Sequence, residues 1–187
     1  MKFREAIKES VKHLTSTEFR DRVQEEDSRM LSEINILTEI NKYGFLTTES
    51  QSGRQDKGKH YQDKKPYTID ERAYLSGFML KTKAPIFLEK IHLYTDKMAF
   101  AIPVSKCELD IPTELDIPLT LSKHAGKEEV VTHMSLAIPQ EHMNFLLKQA
   151  KLNKSEPVVF VYCFDPKWNR YSSNKNGLFT TILTALK

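Results

Sequence analysis

The sequence is poor in the features that would place it in a specialised class of protein. Its 187 residues include only 2 cysteines, 6 glycines and 1 tryptophan. No apolar run approaches the roughly 18 residues that a membrane-spanning helix needs. The first residues, Met1 to Glu5, lack the apolar stretch of a signal peptide. Cys107 and Cys163 cannot form a disulfide framework, which favours a reducing, cytoplasmic location.

The charged residues exclude a simple polyanion-binding protein. The 28 lysines and arginines nearly balance 25 aspartates and glutamates, so that the formal net charge is +3. Residues 51–106 carry a basic excess, with 11 basic and 6 acidic side chains, whereas residues 1–50 carry 8 and 10. A general nucleic-acid-binding protein would show a sustained excess. The sequence therefore leaves room only for local basic patches.

Hydrophobic periodicity predicts a helical N-terminal part followed by a mixed core. Apolar residues recur at helical spacing through residues 1–44, and Gly44 provides a C-terminal stop. In residues 67–187 short apolar runs alternate with helical patterns. The most apolar run, residues 158–164, is typical of a central strand covered on both faces. We therefore predict a single α+β or α/β domain, with helices flanking one mixed sheet of about six strands.

Residues 52–66, between these two parts, have the composition of a mobile basic loop. Tyr61 is its only large apolar-bodied side chain, so little burial offsets the entropy of ordering. Gly53 and Gly58 widen the accessible backbone space. Five cations repel one another there: Arg54, Lys57, Lys59, Lys64 and Lys65. Because basic loops with aromatic residues contact phosphates and stack on bases, residues 54–65 are also a candidate nucleic-acid contact.

Two polar segments that follow predicted strands contain the candidate ligand-binding residues. In open α/β sheets ligands bind beyond the carboxyl ends of the strands. One segment follows a predicted strand at residues 45–48 and the other follows residues 158–164. Arginines there could bind an oxyanion and the tryptophan could stack on a planar group. The candidates are Ser50, Gln51, Arg54, Arg72, Asp165, Trp168 and Arg170. The alternative is that these segments bind no ligand. Asp165 and Pro166 would then form an ordinary turn, Trp168 would cover the core, and residues 50–53 would be a solvated loop.

Motifs for metal binding and for catalysis are missing from the sequence. No two of the six histidines have a gap of three to five residues, and neither cysteine has a partner at two-residue spacing. The stretch from Ser50 to Gly53 lacks the Gly-x-Ser-x-Gly turn of hydrolases, and Cys163 lies within an apolar strand. There is no glycine-rich phosphate-binding loop. We therefore expect no metal and no cofactor.

Two stretches are similar to a known family. Residues 41–53 resemble the pattern N-x-x-G-F-x-T-x-x-S-Q-x-G, and residues 71–78 are similar to a QRA-x-[VL]-x-G-F block of the same proteins. The family consists of functionally uncharacterised small proteins from bacteria and large DNA viruses. Ser52 stands where the family has a proline. The resemblance implies that Ser50, Gln51 and Arg72 are worth testing, and it supplies no activity.

Three functional hypotheses follow from the sequence. The first is a non-catalytic intracellular binding or interaction protein, in a cellular or viral setting, whose partner is another protein. The second is a small enzyme or ligand-binding domain for a nucleotide-like or phosphorylated molecule. The third is nucleic-acid binding through Lys57, Lys59, Lys64 and Lys65. None of the three involves a membrane.

Overall fold

The computed structural model of the chain describes residues 1–27, 30–60, 62–105, 116–135 and 137–187. These residues form six helices and seven strands. The helices are α1 (Phe3–Thr15), α2 (Thr17–Asp27), α3 (Met30–Lys42), α4 (Ala84–Tyr94), α5 (Gln140–Gln149) and α6 (Leu178–Leu186). The strands are β1 (Phe45–Ser52), β2 (Gln55–Lys59), β3 (Pro66–Leu80), β4 (Met98–Pro103), β5 (Ile117–His124), β6 (Lys127–Met134) and β7 (Val158–Trp168). Among the described residues, no helix is both long and apolar enough to cross a membrane.

Strand β3 is the centre of the sheet. Its residues 72–80 lie between β1 on one edge and β7 on the other, while its residues 66–71 lie between β2 and β5. Strand β4 extends the sheet beyond β7, and β6 extends it beyond β5. The result is a curled seven-stranded sheet in which one long strand belongs to both halves.

The prediction of an α+β fold is confirmed, but the predicted sheet is wrong in two respects. The sheet has seven strands rather than about six, and every described pairing is antiparallel rather than mixed. Short connections account for two of these pairings. Residues 60–65 join β2 to its neighbour β3, and residues 125–126 join β5 to its neighbour β6. Parallel neighbours need a crossover of about a dozen residues, which these two connections are too short to supply.

The two faces of the sheet pack against different helices. On one face Leu75, Met79 and Val161 pack against α3, α4 and α6 in the larger apolar cluster. On the other face Phe78 and Phe160 pack against α1 and α5, with their rings 5.0 Å apart at an angle of 67°. This alternation along β3 and β7 follows from the two-residue period of a strand. Strand β7 is therefore central and covered on both faces, as its apolar sequence predicts.

Residues 52–66 differ from the predicted loop. Gln55–Lys59 form strand β2, which pairs with residues 66–70 of β3, and the His60 N–H closes the turn by donating to the Lys65 carbonyl at 2.9 Å. We call this hairpin, residues 55–70, the basic arm. All five β2 residues are exposed, so backbone pairing rather than side-chain burial forms the strand. Tyr61 lies outside the described residues, and the mobility of the segment stays a prediction.

Candidate functional site

The two polar segments that the sequence singles out meet across β3. Strands β1 and β7 flank β3 and run parallel to each other, so their carboxyl ends lie at the same end of the sheet. The Ser172 N–H donates to the Ser52 carbonyl at 2.9 Å. Both strands are longer than predicted, so Gln51 belongs to β1 and Asp165 and Trp168 belong to β7. The segments are neighbours, but much of each is strand rather than loop.

The seven candidate residues fall into three groups because successive side chains of a strand point to opposite faces. Gln51, Arg72 and Trp168 form the first group. Ser50 and Arg54 form the second. The third consists of Asp165 and Arg170. They do not share one concavity.

The first group connects strands within the protein. The Gln51 side-chain amide donates to the Arg72 carbonyl at 3.1 Å and to Thr120 Oγ1 at 3.2 Å. The Arg72 guanidinium lies over the Trp168 ring, 4.2 Å from its centroid, and donates to the Pro118 carbonyl at 3.0 Å. Burial lowers the pKa of Arg72, although the Asp165 charge opposes that shift. One face of Trp168 is therefore already covered by an arginine of the same chain.

The second group lies beside α3. Ser50 and Arg54 line a cavity of about 200 Å³ together with Glu33, and Gln51 of the first group also contributes to its lining. Arg54 Nε donates to Ser52 Oγ at 2.9 Å, which keeps the guanidinium near the strand end. The Ser172 hydroxyl donates to Glu33 Oε1 at 2.9 Å. The cavity is small for a ligand, since pockets for small molecules usually occupy about 300–1,000 Å³.

The third group is part of a buried charge network. Asp165 is 0 % exposed and receives two hydrogen bonds from Arg170, from Nε at 2.6 Å and from Nη2 at 2.5 Å. The ammonium group of Lys97, itself 2 % exposed, lies 3.1 Å from Asp165 Oδ2 and 2.6 Å from Asp96 Oδ1. Arg170 Nη2 also lies 2.8 Å from Asp96 Oδ2. Two cations and two carboxylates thus balance one another.

The network also shifts the pKa of Arg170 and of Asp96. Hydrogen bonding to Asp165 raises the pKa of Arg170, against the opposing effect of burial. Hydrogen bonding from Lys97, aided by Arg170, holds the pKa of Asp96 well below its usual range. The sequence gives no signal for this arrangement, because Asp96-Lys97 has the appearance of an ordinary solvated pair. A buried lysine between α4 and β4 becomes evident only when β7 is placed beside β4.

A cleft of about 680 Å³ lies next to this network. It is bounded by the end of α4, by α6 and by residues 167–176. Three threonines, an asparagine and an alanine contribute to its lining. Its charged residues are four cations and one carboxylate: Lys90, Lys167, Arg170, Lys175 and Asp96. Arg170 is the only predicted site residue in the described lining of this cleft.

The candidate nucleic-acid contacts lie on the basic arm. Lys57, Lys59, Lys64 and Lys65 are all exposed, and none forms a salt bridge to another described residue. Tyr67 lies opposite Gly58 in the β2–β3 register, whereas Lys57 lies opposite Thr68. Since neighbouring positions of a strand point to opposite faces, the tyrosine ring and the β2 lysines lie on different faces of the arm.

In comparisons with known proteins, no family model and no curated protein sequence matches the chain. The resemblance of residues 41–53 and 71–78 to an uncharacterised family therefore stays a prediction.

Proposed function

We propose that this protein is a non-catalytic binding protein for a small phosphorylated molecule. The ligand would occupy the cleft between α4, α6 and residues 167–176. The observation that carries this proposal is the charge of the lining: the Arg170 charge is balanced within the buried network, and Lys90, Lys167 and Lys175 add positive charge beyond it. A cleft of about 680 Å³ lies within the usual range of about 300–1,000 Å³ for small-molecule sites.

Arg170 supports an anionic ligand because it is held in place before any ligand arrives. Its bonds to Asp165 and Asp96 fix the guanidinium at the edge of the cleft. A cation that is already ordered loses little conformational freedom on binding, so more of its interaction energy contributes to affinity. Lys90, Lys167 and Lys175 add positive charge around this fixed group, and Lys167 Nζ lies 3.6 Å from Asp96 Oδ2.

The remainder of the lining favours a polar ligand over a nucleotide. None of the described lining residues is aromatic, and Trp168 contacts Arg72 instead. A nucleobase would therefore find no ring on which to stack in the described cleft. Thr181 and Asn176 offer hydroxyl and amide groups that suit a hydroxyl-rich molecule such as a sugar phosphate.

Two observations support binding without catalysis. Cys163 is fully buried in β7, and burial raises the pKa of its thiol, so the nucleophilic thiolate is disfavoured. Asp96, the carboxylate of the described lining, has its pKa lowered by Lys97 and is therefore a weak base at neutral pH. A reducing, cytoplasmic setting for this binding protein fits the low cysteine content.

Isothermal titration calorimetry tests the proposal with three probes: pyrophosphate, a hexose phosphate and a nucleoside triphosphate. We expect the first two to bind at one site per chain. Lys90→Ala and Lys175→Ala should each weaken binding about three- to tenfold, which corresponds to about 0.7–1.4 kcal/mol. Lys83→Ala is the matched control, because Lys83 is an exposed lysine beside α4 that does not line the cleft. Equal loss in all three variants, or no binding by the unchanged protein, would contradict the proposal.

The basic arm supports nucleic-acid binding as a second candidate function. The observation behind it is the set of four exposed lysines without salt bridges to described residues: Lys57, Lys59, Lys64 and Lys65. Binding by these residues should weaken steeply with salt, since each phosphate contact releases counterions. Fluorescence anisotropy with a single-stranded oligonucleotide, measured from 50 to 200 mM salt, tests it. Affinity that is unchanged after Lys57→Ala and Lys59→Ala are combined would rule it out.

A further inference from the structure

Two histidines and an aspartate from different hairpins meet at the tip of the basic arm. His60 and Asp63 belong to the connection between β2 and β3, and His124 is the last residue of β5. Asp63 Oδ1 lies 3.5 Å from His60 Nδ1 and 3.1 Å from His124 Nε2. The three ligand atoms all lie within 4.8 Å of one another. Two imidazoles and a carboxylate therefore converge on one point.

Backbone hydrogen bonds hold these groups in position. The Lys65 N–H donates to Asp63 Oδ1 at 3.0 Å, and the Lys64 N–H donates to the His60 carbonyl at 2.9 Å. The imidazole rings of His60 and His124 are 4.7 Å apart between centroids and tilted by 39°. The turn is thus shaped so that its two side chains lie against the end of β5. This arrangement exists without any rearrangement of the backbone.

We propose that His60, Asp63 and His124 form a binding site for Zn²⁺, with water in a fourth position. Two nitrogens and one carboxylate oxygen are a donor set that zinc accepts in proteins. Ligand bonds of about 2.0–2.2 Å in a tetrahedron put neighbouring ligand atoms roughly 3.3 Å apart. The Asp63–His60 and Asp63–His124 separations, 3.5 and 3.1 Å, are already close to that value.

Sequence spacing could not have shown this site. Histidine pairs three to five residues apart are the usual signal, but His124 lies 61 residues from Asp63. Strand pairing brings them together, because Tyr67 lies opposite His124 in the β3–β5 register and the turn lies just before Tyr67. The expectation of no metal rested on spacing alone. The zinc site goes beyond the proposed function, since none of its ligands lines the described cleft.

The structure also contains an internal control for weak zinc binding by a surface histidine. His133 Nε2 lies 3.1 Å from Asp116 Oδ2, so this pair has the same donor chemistry without a second histidine in its described surroundings. Both residues belong to the β5–β6 region, and His133 is 56 % exposed. If zinc bound simply to any surface histidine beside a carboxylate, this pair would bind it as well.

Competition between the protein and a chromophoric chelator for Zn²⁺ tests the site. We expect one Zn²⁺ per chain for the unchanged protein and for His133→Ala. His124→Ala and Asp63→Ala should each weaken binding at least about 100-fold, because each removes a direct ligand. The ligand residues are at least partly exposed, so the variants should fold, which circular dichroism checks. Equal affinity in His124→Ala and His133→Ala would overturn the proposal.

Limited trypsin digestion supplies a second and independent readout. Zinc would join the turn of the arm to β5, so it should slow cleavage after Lys57, Lys59 and Lys64. Without metal we expect the first cuts within residues 52–66, before any site in 71–106 or 157–187. His124→Ala in the same zinc concentration controls for effects on trypsin itself. Zinc that binds tightly but leaves cleavage of the arm unchanged would show that these three residues are not joined by the ion.

Discussion

Lys97 and Asp165 are ionisable side chains buried beside each other, at 2 % and 0 % exposure. Taking a charge out of water costs several kcal/mol, and an ion pair offsets this only when its partners are well placed. Here Asp165 accepts two hydrogen bonds from Arg170 and contacts Lys97 as well. The network therefore constrains the end of β7 strongly, and each member depends on the others.

Removing one partner of this network should be far more costly than removing a surface pair. Asp165→Ala removes the buried carboxylate between Lys97 and Arg170 and leaves them only the partly exposed Asp96, so we expect a loss of about 3–5 kcal/mol in the free energy of unfolding. Asp116→Asn, which disrupts the exposed pair with His133, should cost about 1 kcal/mol or less. Urea denaturation at pH 7 measures both. A loss for Asp165→Ala no larger than that of Asp116→Asn would show that the network is not a stabilising unit.

Acid should destabilise the protein through carboxylates whose pKa is lowered on folding. Hydrogen bonding from Gln55 lowers the pKa of Asp70, and bonding from Lys97 lowers that of Asp96. Such groups contribute stability above their unfolded pKa of about 3.9 and lose it as pH falls through the folded pKa. We therefore expect the free energy of unfolding to decrease as the pH is lowered from about 4.

The variant Asp70→Asn tests this linkage at one residue. It should be less stable than the unchanged protein at pH 7, because the ionised carboxylate is hydrogen-bonded by Gln55 and Asn169. The difference in the free energy of unfolding should shrink as pH falls below about 4, because the aspartate then takes up a proton and becomes neutral like the asparagine. Urea denaturation at pH 7, 5 and 3 measures it. A difference that stays constant across these pH values would contradict the assigned pKa shift.

Among secondary-structure elements, the pairing of β1 with β3 depends on one glycine. A Cβ atom at Gly77 would overlap the Leu46 carbonyl oxygen of β1 and lie 2.9 Å from the Phe45 ring. Because a backbone atom cannot move as a side chain does, Gly77→Ala should cost about 3 kcal/mol. Gly58→Ala is the comparison, since its Cβ would meet only the Tyr67 ring, at 2.8 Å, on the exposed arm. We expect that loss to be about 1 kcal/mol or less, because the Tyr67 ring can move and alanine is less costly to order in a strand than glycine. Thermal unfolding compares the stability of the two variants. A larger loss for Gly58→Ala than for Gly77→Ala would contradict the close pairing of β1 with β3 at Gly77.

The elements that could be predicted are those whose own side chains are buried. The helical spacing of apolar residues in α1 and the apolar run of β7 indicate from the sequence alone which side chains are buried. Strand β2 could not be predicted, because all five of its residues are exposed and only its backbone is paired. The ends of β1 and β7 were missed for a related reason. Their polar residues are paired to β3 while their sequence is that of a loop.

For the whole molecule, the arrangement of strands decided which candidate residues came together. The sequence puts Asp165 and Arg170 in one segment, five residues apart at a strand end, and the structure joins them by two hydrogen bonds. It could not supply Lys90, Asp96 or Lys97, which reach the same region only through the pairing of β4 with β7 and the packing of α4. The three-residue cluster on the basic arm has the same origin, in the pairing of β3 with β5.

The central claim is that the cleft beside the buried network binds a small phosphorylated molecule. Amide chemical-shift mapping of the ¹⁵N-labelled protein during titration with pyrophosphate tests it most directly. We predict saturable shifts concentrated in residues 90–96, 167–176 and 181–185, which border the cleft. Shifts confined to the basic arm, residues 55–70, or the absence of any saturable shift would contradict the claim.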